Sequence, residues 1–151
     1  MWSVTRSTIE YSTNRATPEA MLGMVRPSMR ILVVDDNVDV LESMALMLKL
    51  AGHQIETTSD GRKALAMHDS QPADVLITDL FMPGTDGFET IAQFRARWPK
   101  MKIIAMSGGG QVVRGNYLSL TTKLGADVTM RKPFEPAELL KTLEALAADV
   151  R

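Results

Sequence analysis

The chain contains no cysteine. Disulfides, thiolate nucleophiles and cysteine-ligated zinc or iron–sulfur clusters are therefore excluded. Its two histidines, His53 and His68, are too few for a histidine-rich metal site, and both read as structural or exposed side chains. Neither sign of charge dominates. Lys and Arg number 17 against 18 Asp and Glu, for a formal net charge of -1, which argues against a protein built to coat nucleic acid. No apolar run approaches the ~18–20 residues of a membrane helix. No apolar stretch follows a basic start in the manner of a signal peptide. What is left is an ordinary globular mix, 45% hydrophobic and 23% charged, over 151 residues, enough for one domain with its own core.

The pattern divides near residue 30. Residues 1–29 are rich in Ser and Thr, carry Pro18 and Pro27, and read as a disordered leader. Residues 30–151 read as the folded domain. Ile31-Leu32-Val33-Val34 is a short β-branched apolar run, the mark of a buried strand. Further strands are predicted over 54–58, 74–79, 102–106 and 127–131. Helices are predicted over 38–51, 61–70, 88–98 and 136–148, and a helical or irregular segment runs up to 124. On the first helix, Asp39, Glu42, Ser43 and Lys49 share one arc, with Val38, Leu41, Met44, Ala45 and Leu48 opposite. Gly52 suits the stop after it. Pro83, Gly84 and Gly87 mark a loop, Pro99 closes the third helix, and Pro136 suits the first turn of the last. Strands alternating with helices five times predict a parallel sheet covered on both faces, with ligands bound at the carboxyl ends of the strands.

At those ends stand Asp35 and Asp36 after the first strand, Asp79 after the third, Ser107 after the fourth and Lys132 after the fifth. Each alone has a bland reading, a helix cap for Asp35 or a solvated surface residue for Lys132. Five together on one sheet edge read as a site.

The chain resembles the receiver domain of two-component response regulators over about residues 30–149. The residues that carry the resemblance are Leu32-Val33-Val34-Asp35-Asp36, Ile77-Thr78-Asp79-Leu80-Phe81-Met82-Pro83-Gly84, Ile104-Ala105-Met106-Ser107-Gly108, Leu124-Gly125-Ala126-Asp127 and Arg131-Lys132-Pro133-Phe134. The resemblance implies a flavodoxin-like (βα)5 doubly wound parallel sheet with strand order 2-1-3-4-5. It implies that Asp79 is the phosphoacceptor and that Lys132 and Ser107 contact the phosphoryl oxygens. It implies that Mg2+ is held by Asp36, Asp79, the backbone carbonyl of Phe81 and, through water, Asp35. It also implies a cis Lys132-Pro133 bond. The partners implied are a histidine kinase or histidine phosphotransfer protein and a downstream protein target, in the cytoplasm, with no direct contact to nucleic acid or membrane. In the family, phosphodonor helices pack on the first helix, where Leu46 and Leu50 fall in the polar arc.

Three features depart from the family pattern. Thr129 stands three residues before Lys132, where receivers usually carry an aromatic or His that reports phosphorylation to the output face. Phe81 and Gly109, two residues after Asp79 and Ser107, offer no polar side chain to hold a hydrolytic water. The resemblance thus implies slow self-dephosphorylation. Ser107 and Lys132 are also set somewhat far apart for a receiver, which predicts an enlarged Gly-rich loop after Ser107.

The reading is therefore a single-domain receiver, a phosphoacceptor rather than an enzyme in the ordinary sense, that signals through a partner or a phosphorelay. The alternative is a receiver-like interaction module without phosphorylation-dependent switching. An Asp-nucleophile hydrolase would need a second Asp two residues after the nucleophile. Phe81 occupies that place and cannot move a proton. Homodimerisation through the face of the fourth helix, fifth strand and fifth helix stays open.

Overall fold

The computed structural model describes residues 27–82, 85–108 and 117–149; most of the expected leader lies outside the described residues. Its elements follow one another as β1 (Arg30–Val34), α1 (Val38–Leu50), β2 (Gln54–Thr58), α2 (Gly61–Ser70), β3 (Val75–Asp79), α3 (Gly87–Arg97), β4 (Lys102–Ser107), α4 (Tyr117–Leu124), β5 (Val128–Arg131) and α5 (Pro136–Ala148). A two-residue antiparallel ribbon, Phe81–Met82 against Thr85–Asp86, lies between β3 and α3.

The five strands form one parallel sheet in the order β2-β1-β3-β4-β5, the order implied by the resemblance. β3 is buried along its whole length, and β1 and β4 at all but their first residue. These are the strands that read as continuous apolar runs, because helices cover both faces of a central parallel strand. The edge strands β2 and β5 are mostly exposed or half-buried, with only Met130 of β5 buried, and are correspondingly more polar.

The period of two along the strands sorts side chains into two cores. Ile31, Val33, Val75, Ile77, Ile104 and Met106 meet Leu41, Met44 and Leu48 of α1 and Leu139, Leu143 and Leu146 of α5. Leu32, Val34, Leu76, Ile103 and Ala105 meet Ala64 of α2 and Ile91 and Phe94 of α3. Met29 joins the first core at 8% exposure. Its carbonyl accepts from Gln54 N–H at 2.9 Å, and its own N–H donates to His53 Nδ1. Packing thus begins one residue ahead of the break in composition.

Side chains of the expected kind open α1, α2 and α3. Asn37 accepts from the N–H groups of Asp39 and Val40, Asp60 from Arg62, and Asp86 from Phe88. Gly52 and Gly125, at φ 95° and 118°, follow α1 and α4 in the left-handed conformation that glycine adopts without strain. Three local readings change. Val38, placed on the apolar arc of α1, is 59% exposed because it opens the helix beyond the last residue of β1. Gly87 is the first residue of α3 rather than a loop residue, and β4 extends through Ser107. The ribbon was not foreseen, since two residues are too short to show a period.

Candidate functional site

The register brings the carboxyl ends of the strands level. Val34 pairs with Thr78, Asp79 with Met106, and Ser107 with Arg131. Asp35, Asp79 and Ser107 are buried at this edge, and Asp36 is exposed. Carboxylate oxygens of Asp35, Asp36 and Asp79 lie within 4.8 Å of one another. Lys132 enters from the end of β5. Its Nζ stands 2.5 Å from Asp35 Oδ2 and 3.4 Å from Asp79 Oδ2. Its backbone N–H donates to the Ser107 carbonyl at 2.7 Å, so the two strand ends are tied together. The Lys132–Pro133 bond is cis.

Asp35 is the most fully engaged of the three carboxylates. Its Oδ1 accepts from Asn37 N–H at 2.9 Å, and its Oδ2 accepts from Lys132. Asp79 is different. Its Oδ1 is buried with no hydrogen-bond partner. Burial, with Asp35 beside it, pushes its carboxyl above the usual carboxylate range; Lys132 and the backbone of Phe81 pull the other way without winning. An unpartnered buried oxygen among three carboxylates is costly unless something positive meets it. Hard oxygen donors of this kind suit Mg2+.

Phe81 follows two residues after Asp79. The residue is 40% exposed, and its ring packs edge-on against Phe88 of α3, with ring centroids 5.7 Å apart. Thr129 is half-buried on β5, in register with Ala105. Gly109 lies outside the described residues. His68 is buried between Phe94 and Trp98, and its Nδ1 accepts from Ala73 N–H at 3.0 Å, so it is a packing residue away from the site.

Sequence reasoning missed Asn37, which caps α1 and also holds Asp35. Its position, directly after two strand-end carboxylates and before an apolar helix, was the available signal. It also missed a groove of about 750 Å³ between α1 and the start of α5. Val40, Met44, Met47, Pro133, Phe134 and Pro136 line it, and it reaches Gly108 and Lys132 at the site.

The family model of the response regulator receiver domain matches residues 31–144. Response regulator MprA of Mycobacterium avium is 37% identical over 118 residues, which are 78% of this chain and 50% of that protein. Transcriptional regulatory protein TcrA of Mycobacterium tuberculosis is 35% identical over 118 residues, 78% of this chain and 46% of that protein. The chain thus spans about half the length of these relatives. Among solved structures, chemotaxis response regulator CheY4 of Vibrio cholerae superposes with a TM-score of 0.71 at 30% identity, over 80% of this chain and 99% of that one.

Proposed function

The chain belongs to the response regulator receiver domain family, a class of signalling module in two-component systems, and from that premise we propose that Asp79 accepts a phosphoryl group from a phosphohistidine donor in a Mg2+-dependent reaction. The observation that carries this reading is the state of Asp79: buried, raised in pKa, with one oxygen unpartnered and the other 3.4 Å from Lys132.

The chemistry follows from these groups. Asp79 Oδ1, with Asp36, Asp35 and the Phe81 carbonyl, would hold Mg2+. When bound, the ion supplies positive charge to oxygens that gain negative charge during transfer. Asp79 Oδ2 is then the oxygen left to attack phosphorus. The new bond is P–O to Asp79. The bond that breaks is P–N to the donor histidine, whose nitrogen keeps the electron pair; the donor ring, protonated on its other nitrogen before transfer, leaves as a neutral imidazole. Lys132 neutralises the transferred group as a point charge, and Ser107, at the end of the adjacent strand, offers it a hydroxyl. Asp35 anchors the Lys132 ammonium. An interaction module without switching would leave a costly buried carboxylate serving no purpose, which disfavours that alternative.

The donor is a histidine kinase or histidine phosphotransfer protein, and its helices dock on α1. Leu46 and Leu50, one turn apart, are 62% and 80% exposed, and the apolar groove opens along the same helix. The product is an acyl phosphate that changes what a protein partner binds, or that passes onward in a relay. The setting is the cytoplasm, and no helix among the described residues is long and apolar enough to cross a membrane.

Incubation with acetyl phosphate and Mg2+ tests the reading. A receiver takes up one phosphoryl group and holds it. An interaction module takes up none, and a hydrolase turns the donor over without retaining it.

A further inference from the structure

Gly87 has the tightest surroundings of the described glycines. A Cβ built on it would lie 2.1 Å from the Asp79 carbonyl oxygen, 2.6 Å from Leu80 Cα and 2.8 Å from the Leu80 carbonyl oxygen. All three are backbone atoms of the acceptor strand and its first loop residue. The φ of Gly87 is not in the left-handed region. Glycine is needed here for close approach, not for backbone freedom.

Resting on the acceptor reading of Asp79, we propose that Gly87 is a positioning residue: the missing side chain lets α3 close onto the Asp79–Leu80 backbone and thereby sets the acceptor carboxylate against the Phe81 carbonyl. The surrounding bonds leave little room for an alternative fit. Gly87 N–H donates to the Leu80 carbonyl at 3.2 Å, closing the neck of the loop that begins at Phe81. Leu80 N–H donates to Met106 of β4 at 2.9 Å, and the Leu80 side chain is buried in the core with Ile91 and Phe94. The first turn of α3 is itself held. Asp86 Oδ1 accepts from Phe88 N–H at 2.9 Å, and Thr90 Oγ1 donates to the Asp86 carbonyl at 3.2 Å. A methyl group at residue 87 therefore has two ways out. It lifts α3 off the core, or it displaces the peptide between Asp79 and Leu80. Either one moves the acceptor carboxylate relative to the Phe81 carbonyl, two of the oxygens assigned to Mg2+.

The test compares Gly87→Ala with Ile91→Val, which trims the same helix in the core without touching the acceptor backbone. Two quantities are read: Mg2+ affinity by calorimetry without any phosphodonor, and the labelling rate by acetyl phosphate at saturating Mg2+ and donor. In Gly87→Ala both should fall by about 10-fold or more, the scale seen when groups supporting metal ligands are disturbed. In Ile91→Val both should stay within about twofold despite the lost stability. If Gly87→Ala keeps both quantities within that range, the proposal is overturned. Should Gly87→Ala fail to fold, Asp86→Ala loosens the same turn without a collision. It should weaken Mg2+ binding severalfold, and unchanged Mg2+ binding in it overturns the proposal equally. A wild type that binds Mg2+ but takes no label would instead sink the acceptor reading, and the calorimetric comparison would still judge Gly87.

Discussion

Asp79 is the residue on which the reading turns, and its environment makes it costly before it is useful. A carboxylate pushed up in pKa by burial and by Asp35 destabilises the fold in its charged form. Asp79→Asn removes one charge from a crowded cluster and keeps the shape. Without Mg2+ it should stabilise the protein by about 1 kcal/mol, or roughly 3–6 °C in Tm, and it should abolish labelling. A lower Tm in differential scanning calorimetry would show that Lys132 already compensates the charge. On the same proposed reading, Phe81 bears on the lifetime of the acyl phosphate. Its ring leans on Phe88 and puts no hydrogen-bonding group beside the acceptor, and Gly109 has no side chain to offer. Phe81→Asn with Gly109→Glu should shorten the phosphorylated lifetime about 10-fold, a barrier change of about 1.4 kcal/mol. The check is decay of labelled protein after donor removal. Equal decay in wild type and double mutant would mean that water reaches the acyl phosphate by another route.

The helices carry separable roles. α1 buries Leu41, Met44 and Leu48 and leaves Leu46 and Leu50 in solvent, so its outer face can change without touching the core. Leu46→Glu with Leu50→Glu should slow transfer from a phosphohistidine protein about 10-fold or more while leaving the acetyl phosphate rate within about twofold. Equal slowing with both donors would show that this face supports the site rather than the donor. α2 and α3 meet at His68, whose pKa burial lowers, helped by the Arg97 charge and opposed by Asp69. His68 takes up a proton less readily in the fold than when unfolded. Its contribution is therefore full above about pH 6.5 and is lost as pH falls below that through the folded pKa. The wild-type Tm should drop faster between pH 7 and pH 5 than that of His68→Gln. Parallel pH profiles would exclude His68 as the cause. Legibility was uneven at this scale. α5 was read to the residue, 136–148, because Pro136 opens it and its apolar spacing is regular. The ribbon at Phe81 and the helical role of Gly87 were hidden, because a close backbone approach leaves no periodic trace.

For the whole molecule, sheet order came from family resemblance, whereas the strand-end cluster was legible in the sequence itself. Each acidic or basic residue stood at the end of a segment readable as a strand, and parallel strands bring such positions to one edge. What sequence could not show was how the edge is wired: Lys132 held by Asp35, Asn37 bridging cap and site, and the groove beside α1. On the proposed reading, a cation held at this edge adds to the stability of the whole domain. Mg2+ at about 100 times its dissociation constant should raise stability by about 2.7 kcal/mol. Asp36→Asn, which removes the exposed carboxylate of the cluster, should lose most of that gain without a large change in its metal-free Tm. Equal Mg2+ shifts in the two proteins would place the ion elsewhere.

The most direct measurement is to phosphorylate the wild-type protein with acetyl phosphate and Mg2+, trap the acyl phosphate by borohydride reduction, and map the modified residue by peptide mass spectrometry. Homoserine at residue 79, in one peptide and absent without Mg2+, is the expected result. Modification at Asp35, Asp36 or any other carboxylate with Asp79 intact, or the same yield in metal-free buffer, would contradict the assignment of Asp79 as the phosphoacceptor of this site.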